Sequence, residues 1–298
     1  MKSRAELIQN AKRLVTNPET RRRYLKWKTS TLLTGTAPFV AIPKGRRLYP
    51  ADRFNDYVAI VAQHPSESEW RLLNDLLAES GDGVFVDVGA NIGAMTVLAH
   101  STGRVSGIFS FEPSHRYCLA WHRNVLANHV DQATLFEVAV GDYDGTIQFR
   151  VDPRMPLNGK IDRGNVHFST NIETVKIIKL DSISAALKLE SIALLKLDVE
   201  GAEPLVVRGA QSLLGSGRVR SILFEFIVEF MEDMGEDPYE YVSLLIQLGF
   251  TLYSINADGA LTKIAVNDPQ EIVDSRRVKE NAPLRPFEAI NLVAKYSA

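Results

Sequence analysis

Runs in which almost every residue is apolar recur through residues 84–296, most of them followed by a stretch with helical spacing. "VFVDVG" (84–89) leads into "AMTVLAHS", "VSGIFSFEP" (105–113) into "RYCLAWHRNVLANHV", "SIALLKLDVEG" (191–201) into "EPLVVRGAQSLL", and "VRSILFEFI" (219–227) into "PYEYVSLLIQLG". "ATLFEVAVG" (133–141) reads as one further strand, "FTLYSINADGALTKI" as a hairpin about Asp258-Gly259, and "EAINLVAKY" as a closing strand. Near-continuous apolar strands separated by helices predict a doubly wound, mainly parallel sheet covered on both faces, with an antiparallel terminal edge. The helix preceding the first of these strands has a start signal. Ser66 and Glu69 stand at capping-box spacing, and "WRLLNDLL" supplies the periodicity.

Two regions depart from this alternation. Residues 1–65 are expected to form a helical N-terminal extension, leaving 66–298 as the main domain. Residues 141–181 carry two strand-like runs, "GTIQFRV" and "TVKIIKL", joined by a long polar connection rich in Pro, Gly and Asn. That pattern predicts a β-arm with a substrate-facing flap, since long loops in compact domains are usually functional or disordered.

Composition changes the picture in few places. At 298 residues, 45% hydrophobic and 23% charged, the chain is an ordinary globular one. Its apolar runs are strand-length and interrupted, so no transmembrane helix is expected. The N-terminus lacks the apolar core of a cleavable signal. The single cysteine, Cys118, allows no internal disulfide and no thiol cluster for zinc, which points to a reducing, cytoplasmic setting. Net charge of −2 does not favour nucleic acid. The first 28 residues nevertheless hold nine Lys and Arg against two Glu. Such a stretch is either a solvated helix face or an arm for an anionic partner, peripheral contact with a membrane surface included.

Candidate chemistry centres on "VFVDVGANIG". In doubly wound sheets ligands sit beyond the carboxyl ends of the strands, and here a glycine turn follows the first strand. Glu112 closes the next strand, 23 positions after Gly89, where a ribose-binding acid is expected. Turn and acid together suggest an adenosine-type ligand. A dinucleotide fingerprint places a second glycine where this chain has Asn91, and Asp87 would repel a pyrophosphate. A sulfonium is cationic, so Asp87, Asp198 and Glu200 become favourable neighbours. S-Adenosylmethionine is therefore the expected cofactor and NAD the alternative.

At this point "FVDVGANIG", "FSFEP", "NVLAN", "VAVGDYDGTI", "LDSI" and "LLKLDVEGAEPLVVRGA" resemble, in order, the motifs of the FkbM-type methyltransferases. The resemblance covers about residues 84–226. It implies the class I methyltransferase fold, with seven strands in the order 3-2-1-4-5-7-6, and methyl transfer to hydroxyl groups of glycans or natural products. Matched to that pattern, Asp87, Gly89, Ala90, Asn91 and Gly93 would line the methionine and ribose part of the cofactor. Glu112 would bind the ribose, Pro113 would set the turn after it, and Val138 and Ala139 would flank the adenine. Glu137 is the nearest polar residue for the adenine amine.

For the transfer itself, an acceptor oxygen must be aligned and its proton removed. Asp198, Glu200 and Glu225 end neighbouring strands and are the candidate acids, for catalysis or for orienting the cofactor. His167 in the flap is the candidate histidine base, with His115 a second histidine near the cofactor edge. Three acids at adjacent strand ends also make a Mg²⁺ ion an alternative. Competing readings are N-methyl transfer, an NAD-dependent oxidoreductase, and a cofactor-binding partner without catalysis. "DVEG" stands where base-amino methyltransferases place Asn/Asp-Pro-Pro-aromatic, which argues against base methylation.

Overall fold

The computed structural model describes residues 25, 29, 32, 33, 39–51, 65–81, 83–151, 159–161, 171–265, 269–277 and 290–297. The main sheet has eight strands. Its centre is parallel: β3 (Val84–Val88), β4 (Gly107–Phe111), β5 (Ala133–Phe136), β10 (Ile192–Leu197) and β11 (Val219–Glu225). β14 (Asn291–Tyr296) enters antiparallel between β11 and β12 (Phe250–Ile255), and β13 (Leu261–Lys263) adds the antiparallel edge. The order across the sheet is β5-β4-β3-β10-β11-β14-β12-β13. Counted by their order along the chain, the first seven read 3-2-1-4-5-7-6. The sheet has eight strands rather than seven because the arm of the Asp258-Gly259 hairpin pairs outside β12.

β10 is buried along its whole length, and β3 from its second residue onward, as expected of central parallel strands. Helix α1 (Glu67–Ser80) packs Leu72, Leu73, Leu76 and Leu77 inward, and its capping box is formed as the spacing predicts, with both Ser66 and Glu69 making their reciprocal bonds. α2 (Ala94–His100) and α3 (His115–Ala127) follow β3 and β4. No helix among the described residues is long and apolar enough to cross a membrane.

Two expected elements are each split in two. "ATLFEVAVG" is not one strand, for the chain leaves the main sheet after β5. It resumes as β6 (Ala139–Val140), which pairs with β9 (Asn171–Ile178) in a second sheet, β6-β9-β7-β8. β7 (Gly145–Val151) and β9 are the two runs predicted for the arm, and β8 (Gly159–Ile161) lies within their connection. The rest of that connection, His167 included, lies outside the described residues. "EPLVVRGAQSLL" breaks into α5 (Glu203–Arg208) and α6 (Gln211–Gly215) at Gly209. Gly209 packs on the Gly141 backbone at the root of the arm, so closely that a Cβ there would lie 1.9 Å from the Gly141 carbonyl oxygen. α4 (Leu180–Leu187) lies between β9 and β10 and buries Leu180 and Ser184. Asp144 holds its start, accepting from the Lys179 N–H and the Ser182 hydroxyl, both at 2.7 Å.

Most of the basic N-terminal stretch lies outside the described residues. Within 39–51, β1 (Val40–Ile42) and β2 (Arg46–Leu48) form a hairpin whose Leu48 is fully buried. Two buried asparagines, Asn124 in α3 and Asn128 at its C-terminal cap, hold it by its backbone. Asn124 accepts from the Tyr49 N–H (2.7 Å) and donates to the Tyr49 carbonyl (3.1 Å) and the Ile92 carbonyl (2.8 Å). Asn128 does the same for both backbone groups of Arg47. Replacing a buried amide that satisfies three backbone groups leaves those groups unpaired, at a cost of about 1–3 kcal/mol or more. Asn124→Ala should therefore lower the stability measured by denaturant unfolding by about 2 kcal/mol or more. A change under about 0.5 kcal/mol would show that the hairpin is held by packing alone.

Candidate functional site

The glycine turn lies between the ends of β4 and β10. Gly89 (φ +76) and Gly93 (φ +84) occupy the left-handed region that favours glycine, and Asn91 (φ 50) is a tolerated exception. Both glycines are also closely packed. A Cβ on Gly89 would meet the Asp198 carbonyl oxygen at 1.9 Å, and one on Gly93 would meet the Trp121 ring at 2.7 Å. Three successive amides of the turn are then fastened to β4. The N–H groups of Gly89 and Ala90 donate to the Phe111 carbonyl, each at 3.0 Å, and that of Asn91 donates to Glu112 Oε2 at 2.9 Å. A phosphate-binding turn needs such amides free to point at the anion. Here they are occupied by the protein.

β10 fastens the other side. Lys196, only 6% exposed, donates to the Gly89 carbonyl at 2.9 Å. Its ammonium lies 3.4 Å from Asp87 Oδ1 and 3.2 Å from Asp198 Oδ2. Asp87 is fully buried, and its Oδ2 accepts from the Thr96 hydroxyl at 2.7 Å. Thr96 in turn accepts from Trp121 Nε1 at 3.1 Å and contacts the Ser110 hydroxyl at 2.9 Å. Asp87 thus supports the turn from beneath, with its carboxylate closed off from solvent. Of the three acids in the charge argument made from the sequence, Asp87, Asp198 and Glu200, Asp87 is fully buried and Asp198 opens to solvent. That side chain is 44% exposed at the strand end beside the turn.

Glu112 is 5% exposed, and its Oε1 accepts from the Ser114 N–H at 2.9 Å. Each of its oxygens keeps a second acceptor lone pair, the capacity that a vicinal diol needs. Burial pushes its carboxyl up to about 7, against the pull of those two amides and of Lys196. Glu203 is its counterpart on the other side. It is 1% exposed and accepts from the N–H groups of Val199 (2.8 Å) and Gly201 (3.1 Å), closing the "DVEG" turn that carries Asp198 and Glu200. Burial likewise pushes Glu203 up to about 7. Glu200 adopts φ 57 within this turn, and a Cβ on the following Gly201 would meet the Phe230 carbonyl oxygen at 2.4 Å.

Glu225 ends β11 as expected. Burial first, then the neighbouring Asp198, Glu200 and Glu203, push its carboxyl well above the usual range. Among the described residues no group of three or more His, Cys, Asp or Glu side chains is arranged to hold a metal ion.

The remaining expected residues line the other edge. Pro113 follows Glu112, and Val138 and the buried Ala139 lie where the chain crosses from β5 to β6. Beside them the Phe111 and Phe136 rings stack at 5.0 Å. Glu137 and His115 are exposed and bonded to one another at 2.9 Å. Cys118 is buried, and burial pushes its thiol well above its ordinary value.

Residue-type reasoning passed over Lys196, Thr96 and Glu203, although two of the three stand inside the quoted "LLKLDVEGAE". A lysine in a fully buried apolar strand was the available signal, because lysine is almost never buried without a partner.

The methyltransferase FkbM domain family matches residues 87–252. The chain is 30% identical over 155 residues to the 2-O-methyltransferase NoeI of Sinorhizobium fredii (strain NBRC 101917 / NGR234), covering 48% of this chain and 63% of that protein. It is 29% identical over 145 residues to methyltransferase 1 of Beauveria bassiana (strain ARSEF 2860), covering 43% and 58%. The chain therefore spans about six-tenths of the length of the curated relatives it matches. Among solved structures, methyltransferase FkbM from Methylobacillus flagellatus KT superposes over 72% of this chain and 44% of that one, with a TM-score of 0.41 and 13% identity. The family match takes in more than half the chain, from Asp87 beneath the glycine turn to Leu252 in β12, and this protein belongs to the FkbM methyltransferase family.

Proposed function

We propose that this chain is an S-adenosylmethionine-dependent O-methyltransferase, acting on a hydroxyl of a glycan or a natural-product small molecule. The observation that supports the cofactor best is the state of the glycine turn. Its successive amides are used up on Phe111 and Glu112, while the open group beside it is the Asp198 carboxylate. That combination suits a ligand with a diol and a positive charge, and it suits linked phosphates poorly. A hydroxyl acceptor is supported by family membership and by the similarity to the Sinorhizobium 2-O-methyltransferase.

When bound, the cofactor supplies an electrophilic methyl group and a neutral thioether as leaving group. The chain's part is to hold and orient. Glu112 accepts from the ribose hydroxyls, while Gly89, Ala90 and Asn91 form the wall along which the cofactor lies. Asp198 faces its cationic end. Val138 and Ala139 flank the adenine beside the stacked Phe111 and Phe136 rings. Aligning the acceptor oxygen can contribute about 7–11 kcal/mol. The acceptor's proton goes to Glu200, to Asp198 or to His167 of the flap. Glu225, whose carboxyl burial pushes well above the usual range, is the fourth candidate.

Calorimetry should register binding of S-adenosylmethionine and none of NAD, and binding of NAD alone would overturn the cofactor assignment. Glu112→Ala should weaken S-adenosylmethionine binding by about tenfold or more through loss of its ribose hydrogen bonds. Unchanged affinity would remove Glu112 from the site. Extracts of cells with and without the gene, compared by mass spectrometry, should differ in a hydroxylated compound heavier by one methylene. Cofactor binding without any such compound would favour a non-catalytic partner.

Protonation gives a further test. Burial sets Glu112 and Glu203 at about 7 in the folded chain, against 4.5 ordinarily, so the folded state binds these protons more tightly than the unfolded one. Stability contributed this way is full below about pH 4.5 and is lost as pH rises through about 7. Melting temperature should thus fall between about pH 5 and pH 8, with a shallower slope in Glu203→Gln. A slope of opposite sign, or one unaltered by that substitution, would contradict this account.

A further inference from the structure

We propose that Lys196 is a positioning residue of the cofactor site. Its ammonium holds the Asp198 carboxylate at the end of β10 against the glycine turn, and through Asp198 it sets the affinity for the cofactor's cationic end. The inference rests on the methyl-transfer reading above, and it concerns a residue that does not itself touch the ligand.

Three observations carry it. First, Lys196 is buried in a strand whose six residues are all buried, a setting that disfavours a cation unless charged partners surround it. Second, its three contacts come from three separate segments: the Gly89 carbonyl of the turn, Asp87 of β3, and Asp198 beyond β10. A lysine needed only to neutralise buried Asp87 would have no reason to reach a carboxylate that is 44% exposed. Third, the charges do not cancel. One ammonium against two carboxylates leaves a single negative charge, and of the two acids only Asp198 opens to solvent. The excess charge is thereby displayed where a cation approaches. The tie to the Gly89 carbonyl fixes that carboxylate's distance from the turn along which the cofactor would lie.

The test is a double-substitution cycle read by calorimetry with S-adenosylmethionine, with folding checked by circular dichroism. Lys196→Met should weaken binding about tenfold, whereas in an Asp198→Asn background the same substitution should change affinity by less than about threefold. Should Lys196→Met not fold, the cycle is run with Asp87→Asn present throughout, so that no buried carboxylate is left unpaired, and the same non-additivity is expected. Lys196 acting only as scaffold would give equal losses in both backgrounds, and that result overturns the positioning role while leaving the cofactor assignment standing. Wild-type protein that does not bind S-adenosylmethionine overturns both.

Discussion

One buried ammonium joins the parts on which this fold's chemistry depends. The first strand after the capped helix delivers an acid with no access to water, and the fourth strand of the sheet's core places a lysine beside it. Without that lysine the Asp87 carboxylate would be a charge in an apolar interior, which proteins avoid by pairing it or keeping it protonated. With it, the glycine turn acquires a fixed floor, because the same ammonium binds the Gly89 carbonyl. The opposite flank is fixed by the amides given to Phe111 and Glu112. A turn secured on two sides before any ligand arrives is preorganised, and under the proposed function little ordering remains for the cofactor to bring about.

Many of the polar residues in the family motifs work in the same way, on backbone rather than on ligand. Asn124 and Asn128 of "NVLAN" hold an N-terminal hairpin, and Asp144 of "GDYDG" starts α4. Asp181 of "LDSI" accepts from the N–H groups of Ser212 and Leu213. Glu203 closes the turn that presents Asp198 and Glu200. All but Glu203, whose bonds are local, tie a loop to an element distant in the chain. Such tethers keep the strand-end loops of a doubly wound sheet at fixed distances from one another, and the site is made of those loops.

Much of the architecture was legible in the sequence because it follows from local chemistry. The capping box at Ser66, the alternation of apolar strands with helices, and the Asp258-Gly259 hairpin all follow from short-range rules. What the rules missed was set at long range. "ATLFEVAVG" has the apolar content of a single strand, and its break shows only in the pairing of Ala139 and Val140 with β9. The helix of "EPLVVRGAQSLL" has acceptable periodicity throughout and is interrupted by the approach of another segment's backbone at Gly209. Within the site, Glu112 and the glycine turn stand at recognisable spacing. Asp87 was legible as an acid but not as a buried one. Its pairing with Lys196, 109 positions later in the chain, depends on β10 lying next to β3.

The contact between Gly209 and Gly141 has a mechanical consequence. Two main chains meet there with no side chain between them, one at the root of the β-arm and the other just beyond the helix that follows the "DVEG" turn. Hydrogen bonds reinforce the joint, from the Gly141 N–H to the Ile178 carbonyl and from the Asp181 N–H to the Gly209 carbonyl. The arm is therefore riveted at its base to the far end of the helix that follows the turn carrying Asp198. Substitutions along β7 and β9 that spare these two glycines would leave that joint, and the spacing between the arm and the helix, unchanged.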